Sequence, residues 1–383
     1  MKKEKLTSSL LQRATAHAET FFKFATICLL IVLIPVLAVP ALAQGFPGTF
    51  TEFGASGAGT GSGQGTVAIG INTAGTIVGY YYDSAGVGHG YVRATSGTIT
   101  EFDVTGAGTG SGQGTFAIQI NTAGTIAGDY IDSSSVIHGF VRAVSGKIMT
   151  FSVAGAGTGA EQGTVCCAIN NAGELAGYYI DSNGASHGFI RVSGKITTFD
   201  VMGAGTAAHQ GTFARGVSTG GTVGGYYIDS NSVSHGFVRT SGGVISTFDV
   251  PGSGMNSGEG TTVYSMDPGG AMAGYYVNTV GFFRPFARSA SGTFTTFTIS
   301  GALESFATGI NAAGTICGYF ESLAGPLEGF SRSASGTVTI LIAPGAGTAV
   351  GTGTEAFSIN SGGIIVGPYI TSGKVYGAYF WTP

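Results

Sequence analysis

The chain has 383 residues, of which 69 are Gly, 43% are apolar and only 9% are charged. That is too apolar for a disordered chain, and Gly does not recur every third residue, which excludes collagen. A formal charge of −4 excludes a strongly basic nucleic-acid surface.

Residues 1–43 read as a secretory signal peptide. Lys2, Lys3, Lys5, Arg13 and Lys23 lead into an apolar run from Phe24 that closes on Ala41-Leu42-Ala43, a small-x-small cleavage pattern. An uncleaved membrane anchor is the alternative, since the run is about long enough to span a bilayer. Pro35 and Pro40 inside it favour cleavage, so a secreted, extracellular protein is expected, with periplasmic or anchored forms as alternatives. Without the leader's five basic and two acidic residues, 11 basic and 18 acidic residues remain. The remaining Cys166, Cys167 and Cys317 are odd in number and lack C-x-x-C spacing. They form neither a disulfide framework nor a zinc site, and read as small buried apolar residues.

Residues 44–383 form a single repetitive domain. The stretch Ile-Asn-Thr-Ala-Gly-Thr-Ile-Val-Gly at 71–79 recurs, with its Asn position at Asn72, Asn121, Asn170, Ser218, Asp267, Asn311 and Asn360. In every copy Gly stands three and seven positions later, from Gly75 and Gly79 to Gly363 and Gly367. Repeats start near 66, 115, 164, 212, 261, 306 and 355. Each copy holds four strand-like runs, in the second Phe116–Ile120, Thr125–Asp132, His138–Ala143 and Lys147–Val153. The connections are an Asn-Thr-Ala-Gly hairpin, a second hairpin, a Ser-Gly turn and a long Gly-rich link. Three tight connections and one long one per period are the pattern of a four-stranded propeller blade. In the first strand Val67, Ile69 and Ile71 are expected on one face, with Thr66, Ala68 and Gly70 on the other. Gly79 and its equivalents, inside a strand, mark a close approach by another group.

The last copy stops after three strands, while Thr49–Phe53 and the Gly-rich 54–65 match a fourth strand and link. The sequence therefore predicts an all-β, seven-bladed β-propeller of four-stranded antiparallel blades, in which 44–65 completes the last blade and closes the ring.

The unit Ile-Asn-x-Ala-Gly-x-Ile-x-Gly-Tyr-Tyr-Ile-Asp-Ser, running on to His-Gly-Phe-x-Arg and Thr-Phe-Asp-Val-Pro-Gly, resembles the bacterial extracellular HAF repeat family. The last motif is at 247–252, and the name-giving triplet appears as His-Gly-Phe at 138–140, 187–189 and 235–237 and as His-Gly-Tyr at 89–91. Copies five to seven depart from it with Arg-Pro-Phe, Glu-Gly-Phe and Tyr-Gly-Ala. The resemblance covers essentially all of 44–383. It implies a secreted, propeller-shaped protein and carries no established activity or catalytic residues.

Four groups of residues invite a chemical reading. Gly108–Gly114 looks like a phosphate loop, but a strand follows it where that motif requires a helix, so it reads as a link. Asp83/His89, Asp132/His138, Asp181/His187 and Asp229/His235 flank the second hairpin. One Asp and one His per copy are too few for a tight metal site, and the pairs read as hairpin pins. Arg93, Arg142, Arg191, Arg239, Arg288 and Arg332 end the third strands. They read as solvated or as partners of Asp103, Asp200 and Asp249 rather than as an anion-binding ring. The tyrosine pairs 80–81, 178–179, 226–227 and 275–276 read as core rather than as sugar platforms. No nucleophile elbow or HExxH stands out, and no catalytic, cofactor-binding or metal residue is assigned.

Export, near-identical copies and an acidic balance favour an extracellular binding or scaffolding module. Its expected partner is a glycan or cell-surface protein, not nucleic acid; no cofactor is expected, and the chain is expected to be a monomer. The alternative is a carbohydrate-active lyase or hydrolase with its site in divergent copies five to seven.

Overall fold

The computed structural model describes residues 48–383, and the leader expected over 1–43 lies outside the described residues. Those described form 29 strands hydrogen-bonded into one sheet, with no helix among them. Strand pairing follows the sequence repeat. In the first copy Gly65–Ile71, Ile77–Tyr82, Gly88–Arg93 and Ile99–Phe102 pair antiparallel in that order. The second copy does the same with Gly114–Ile120, Ile126–Ile131, Ile137–Arg142 and Ile148–Phe151. The last copy differs: its first strand is broken into Gly353–Thr354 and Ser358–Ile359, both laid on Ile365–Ile370. Ile365–Ile370 pairs in turn with Tyr376–Thr382, whose far side carries the amino-terminal strand Thr49–Phe53, Thr49 opposite Thr382 and Phe53 opposite Ala378.

Asn72 shows why Ile-Asn-x-x-Gly recurs. Its Oδ1 accepts the Thr76 N–H at 3.0 Å, while the Gly75 N–H donates to its carbonyl, with Gly75 at φ 87°. A side chain at that φ is strained, so the turn selects Gly. Its Nδ2 then reaches out of the copy and donates to the Asn121 carbonyl at 3.2 Å. The same bond runs from Asn121 to Asn170, Asn170 to Ser218, Asn311 to Asn360 and Asn360 to Asn72. Ser218 and Asp267 have no amide to give. Beside Ser218, the Thr219 N–H bonds to the Pro268 carbonyl instead, at 3.0 Å.

The first strands do not alternate as their sequence suggests. Register shifts between Ala68 and Gly70, and between Ala117 and Gln119, leave one extra residue, Ile69 or Ile118. Such a bulge flips the side chains beyond it. Ala68 and Ile71, expected on opposite faces, therefore pack in one cluster with Ile77, Val366 and Ala378. That cluster joins the first copy to the last, as another joins Val78 of the first to Ala117, Ile120, Ile126 and Phe140 of the second. The core thus lies between the sheets of successive copies. Gly79 and Gly128 are pressed against the backbone of the neighbouring first strand and under the rings of Tyr91 and Phe140. The third residue of the His-Gly-Phe motif is thus the lid over the strand glycine. Phe140, Phe189, Phe237, Phe286 and Phe330 are all fully buried by this packing.

Candidate functional site

The histidines sit in a clamp built four times. His89 Nε2 faces Asp83 at 3.5 Å and its Nδ1 faces Asp103 at 3.0 Å. Its ring stacks on Tyr81, centroids 4.9 Å apart. His187 is held by Asp181, Asp200 and Tyr179, and His235 by Asp229, Asp249 and Tyr227. His138 has Asp132 at 3.2 Å, Ser152 at 2.9 Å and Tyr130. The hairpin aspartate also braces its own turn, because Asp83 Oδ1 accepts the N–H groups of Ala85 and Val87 at 2.8 and 2.9 Å. Burial works against the Asp83 charge, but those N–H groups and His89 outweigh it and hold the carboxyl below its usual range. Asp132, Asp181 and Asp229 are lowered in the same way. With both ring nitrogens and one face engaged, each imidazole pins a hairpin to an outer strand. Among the described residues no group of three or more His, Cys, Asp or Glu is arranged to hold a metal ion.

The arginine row requires a correction. Asp103, Asp200 and Asp249 face histidines, and the guanidinium groups lie on phenylalanine rings of the preceding copy. Arg142 stands over Phe102 at 4.7 Å, Arg191 over Phe151 at 5.0 Å, Arg239 over Phe199 at 5.0 Å and Arg288 over Phe248 at 4.6 Å. Arg93 stands over Phe53, which belongs to the amino-terminal strand, at 4.9 Å. These are staples between neighbouring sheets, with the charge on an aromatic face and the stem packed. The Gly-rich link is likewise internally satisfied. Gln113 Oε1 accepts the Gly110 N–H at 2.9 Å, and its Nε2 donates to the Ser133 carbonyl at 3.2 Å.

The tyrosine pairs divide their labour. The second member, as in Tyr81, stacks on histidine. The first, as in Tyr80, turns to the other side and packs edge-on against Phe116 at 5.0 Å. There the repeat breaks down. The bulged residue of the first strand is Ile69, Ile118, Cys167, Arg215, Tyr264, Thr308 and Phe357 along the chain. Successive first strands lie side by side, so these residues meet. Arg215 Nη1 lies 3.8 Å from Cys167 Sγ, and the guanidinium carbon stands 4.8 Å from the Tyr264 ring centroid. Thr308 Oγ1 donates to the Ala356 carbonyl at 2.5 Å. Cys167, Arg215 and Tyr264 are only half-buried although neighbouring first strands surround them. Burial pushes the Cys167 thiol up to about 11 against the pull of Arg215, which leaves it un-ionised at neutral pH and a poor nucleophile. Cys166 and Cys317 are buried as expected, Cys167 is not.

Two positions beyond the bulge add carboxyls. Glu355 occupies the place held by Val67, Phe116, Val165, Phe213, Thr262 and Phe306 in the other copies, and is 3% exposed. Burial alone lifts its carboxyl to about 7. Its charge reaches Tyr80, Tyr264, Tyr319 and Tyr376, drawn from four different copies. Asp129 replaces the tyrosine found at Tyr80 and Tyr178, and its Oδ1 accepts the Cys166 N–H at 2.6 Å. A third unusual carboxyl lies apart from this cluster. Glu304 stands where other copies have Gly. It is lifted to about 7 by burial and by its cross-strand neighbour Glu321, against Arg284. One of its oxygens is buried without a hydrogen bond.

None of Arg215, Tyr264, Asp129 and Glu355 stands out when the sequence is read for its repeat, and Cys167 reads there as a small buried residue. The signal was present: laid against the other copies, each is a polar or bulky intruder at a position the repeat fills differently.

No protein-family model matches the chain, and no curated protein is similar to it in sequence. Among solved structures it is similar to the BP39L lectin of Burkholderia pseudomallei, at TM-score 0.48 and 9% identity over 80% of this chain and 95% of that one. A fucose-specific lectin from Aleuria aurantia matches at TM-score 0.44 and 14% identity, over 72% and 94%. TolB of Acinetobacter baumannii matches at 0.43 and 12%, over 80% and 79%.

Proposed function

We propose that the chain is an exported, seven-bladed β-propeller of the HAF-repeat kind that serves as an extracellular binding module, with a glycan as its ligand. The copies are the blades, the first strands line the axis, and Thr49–Phe53 closes the ring as the outer strand of the last blade. The Asn360-to-Asn72 bond, the Gly65–Tyr376 pairing and the cluster joining the first and last copies support closure. The charged n-region and Ala41-Leu42-Ala43 support export with cleavage after Ala43. Mass spectrometry of the secreted protein checks that site.

One observation carries the binding role. In a scaffold repeated almost unchanged, the departures Cys167, Arg215, Tyr264 and Glu355 come from different blades and converge on the axis. Hydroxyl-bearing rings, a guanidinium and a carboxyl gathered in one cluster suit a polar, ring-shaped ligand such as a sugar. A glycan array run beside a hydrolase and lyase screen tests it. Retention of a glycan without turnover supports the module, and silence in both assays overturns it.

Glu304 and Glu355 favour a second reading. Both carboxyls are poised near pH 7, as a general acid requires, and both lie in the divergent part of the chain. Glycan turnover lost in Glu304→Gln or Glu355→Gln would establish an enzyme instead.

A further inference from the structure

We infer that the joint between copies five and six is a docking face for a protein partner that presents a lysine or arginine among apolar side chains. Its role does not depend on the glycan reading. This joint is built differently from the others. At six joints a Gly opening the first strand pairs in parallel with the third strand of the preceding copy, as Gly114 does with Gly88 and Gly353 with Leu327. A Cβ at Gly114 would strike the Gly88 carbonyl, so the approach requires Gly. Glu304 stands at that position in copy six and cannot make it. Arg284 Nη1 reaches across to the Leu303 carbonyl at 3.0 Å instead. The link is also short, since Asp267 and Asn311 are 44 residues apart against 48 or 49 between other neighbours.

The surface at this joint is apolar. Hairpin tips that read Ser-Ser-Ser at 133–135 and Ser-Asn-Gly at 182–184 become Thr-Val-Gly at 279–281 and Leu-Ala-Gly at 323–325. Val280, Phe282, Leu303, Leu323 and Val350 are all exposed. Short contacts tie them into one patch. The Arg284 guanidinium carbon lies 4.9 Å from the Phe282 ring centroid, the Leu323 N–H donates to the Gly301 carbonyl at 3.0 Å, and the Val350 side chain lies against Gly325. A contiguous exposed apolar patch marks an interaction surface. Aliphatic side chains offer a sugar neither a flat face nor a hydrogen bond, so this patch suits the apolar side chains of a protein. Its edge is acidic. Glu304 and Glu321 are cross-strand partners, and one Glu304 oxygen is buried without a hydrogen bond. Arg284 is the cation that acts on Glu304, and it is already engaged at the Phe283 and Leu303 carbonyls. A partner's lysine or arginine supplies the missing donor and charge. A second copy would set these carboxyls against their own counterparts, and an anionic bilayer would set them against its headgroups, so neither matches the edge.

The test is fluorescence anisotropy of the full secreted protein with a labelled peptide of alternating Leu and Lys, beside its Leu-Glu and Ser-Lys counterparts. Binding of the Leu-Lys peptide at one site per chain is expected, at least about tenfold tighter than either counterpart. Leu323→Ser should weaken it about tenfold, the scale of one buried Leu, and Glu304→Gln about fivefold, the scale of one ion pair near the surface. His138→Asn, which touches only a surface clamp, should bind as the parent does. Leu323 stands on an exposed hairpin tip, so its variant keeps the fold; should it not, Glu304→Gln decides alone. No binding, equal binding of either counterpart, or binding unchanged in either variant would each overturn the assignment. A parent dimer that Leu323→Ser dissolves would overturn it in favour of a second copy. Sedimentation with phosphatidylglycerol vesicles, lost in Leu323→Ser, would overturn it in favour of a membrane. None of these outcomes bears on the glycan array, which tests the other role separately.

Discussion

Replacing Glu355 with Gln should stabilise the protein, by an amount that grows as pH rises from 4.5 to above 7. The carboxyl titrates near 7 in the folded chain, against an ordinary 4.5, because burial penalises its charge and nothing offsets that penalty. Between those values the folded state keeps a proton that the unfolded state has released. Stability therefore falls as pH rises through that window, and above pH 7 the full cost is present. A shift of that size corresponds to about 3 kcal/mol. The isosteric amide has no such titration. Urea unfolding of the parent and Glu355→Gln at pH 4.5 and pH 8.5 should show nearly parallel stabilities at the lower pH. At the higher pH the variant should lead by about 3 kcal/mol, read as a shifted midpoint at constant slope. Glu304 titrates over the same range, but it is present in both proteins and cancels in the difference. A difference that does not change between the two pH values would refute the reasoning, since it would mean that Glu355 meets solvent or a counter-charge in the folded chain.

Three further outcomes are expected. His138→Asn should cost about 1 kcal/mol, the scale of one net hydrogen bond, measured by the same urea titration, with no metal lost on elemental analysis. Acid should act on the clamps with the opposite sign to Glu355. Asp83, Asp132, Asp181 and Asp229 have depressed pKa values, so their contribution is full above the ordinary 3.8 and is lost as pH falls through the lower folded values. Asp132→Asn should flatten that acid slope in midpoints taken from pH 5 to pH 2. Deleting 44–65 should strip the Tyr376–Thr382 strand of its partner and leave a bare sheet edge, seen as a lower melting temperature and aggregation by light scattering. An unchanged melting temperature and solubility would argue against that strand's role.

What the sequence made legible was whatever the repeat states many times. The four-strand period, the hairpin Asn and Gly75, and the close approach at Gly79 all follow from local rules that each copy restates. The bulge was hidden, because Val67-Ala68-Ile69-Gly70-Ile71 reads as plain alternation and the extra residue is set by pairing with the next strand. The partners of His89 were half visible. Asp83 lies across one hairpin, whereas Asp103 comes from the neighbouring strand, and only the strand register brings its carboxylate to Nδ1. The Arg–Phe staples join residues of different copies, which no spacing within a copy reveals. The cluster around Arg215 was illegible for the opposite reason. It consists of single departures, and a reading tuned to recurrence passes over Arg215 and Glu355 as noise.

The pairing of Thr49 with Thr382 has a mechanical consequence. Both ends of the folded chain leave the sheet at the same corner, on adjacent antiparallel strands. A load applied through the two termini therefore does not shear that pair, which would load all its hydrogen bonds together. It peels them apart one rung at a time, starting at Thr49 and finishing at Phe53. A protein tethered at both ends would yield first at this seam, at low force, while the strands of its other copies still hold.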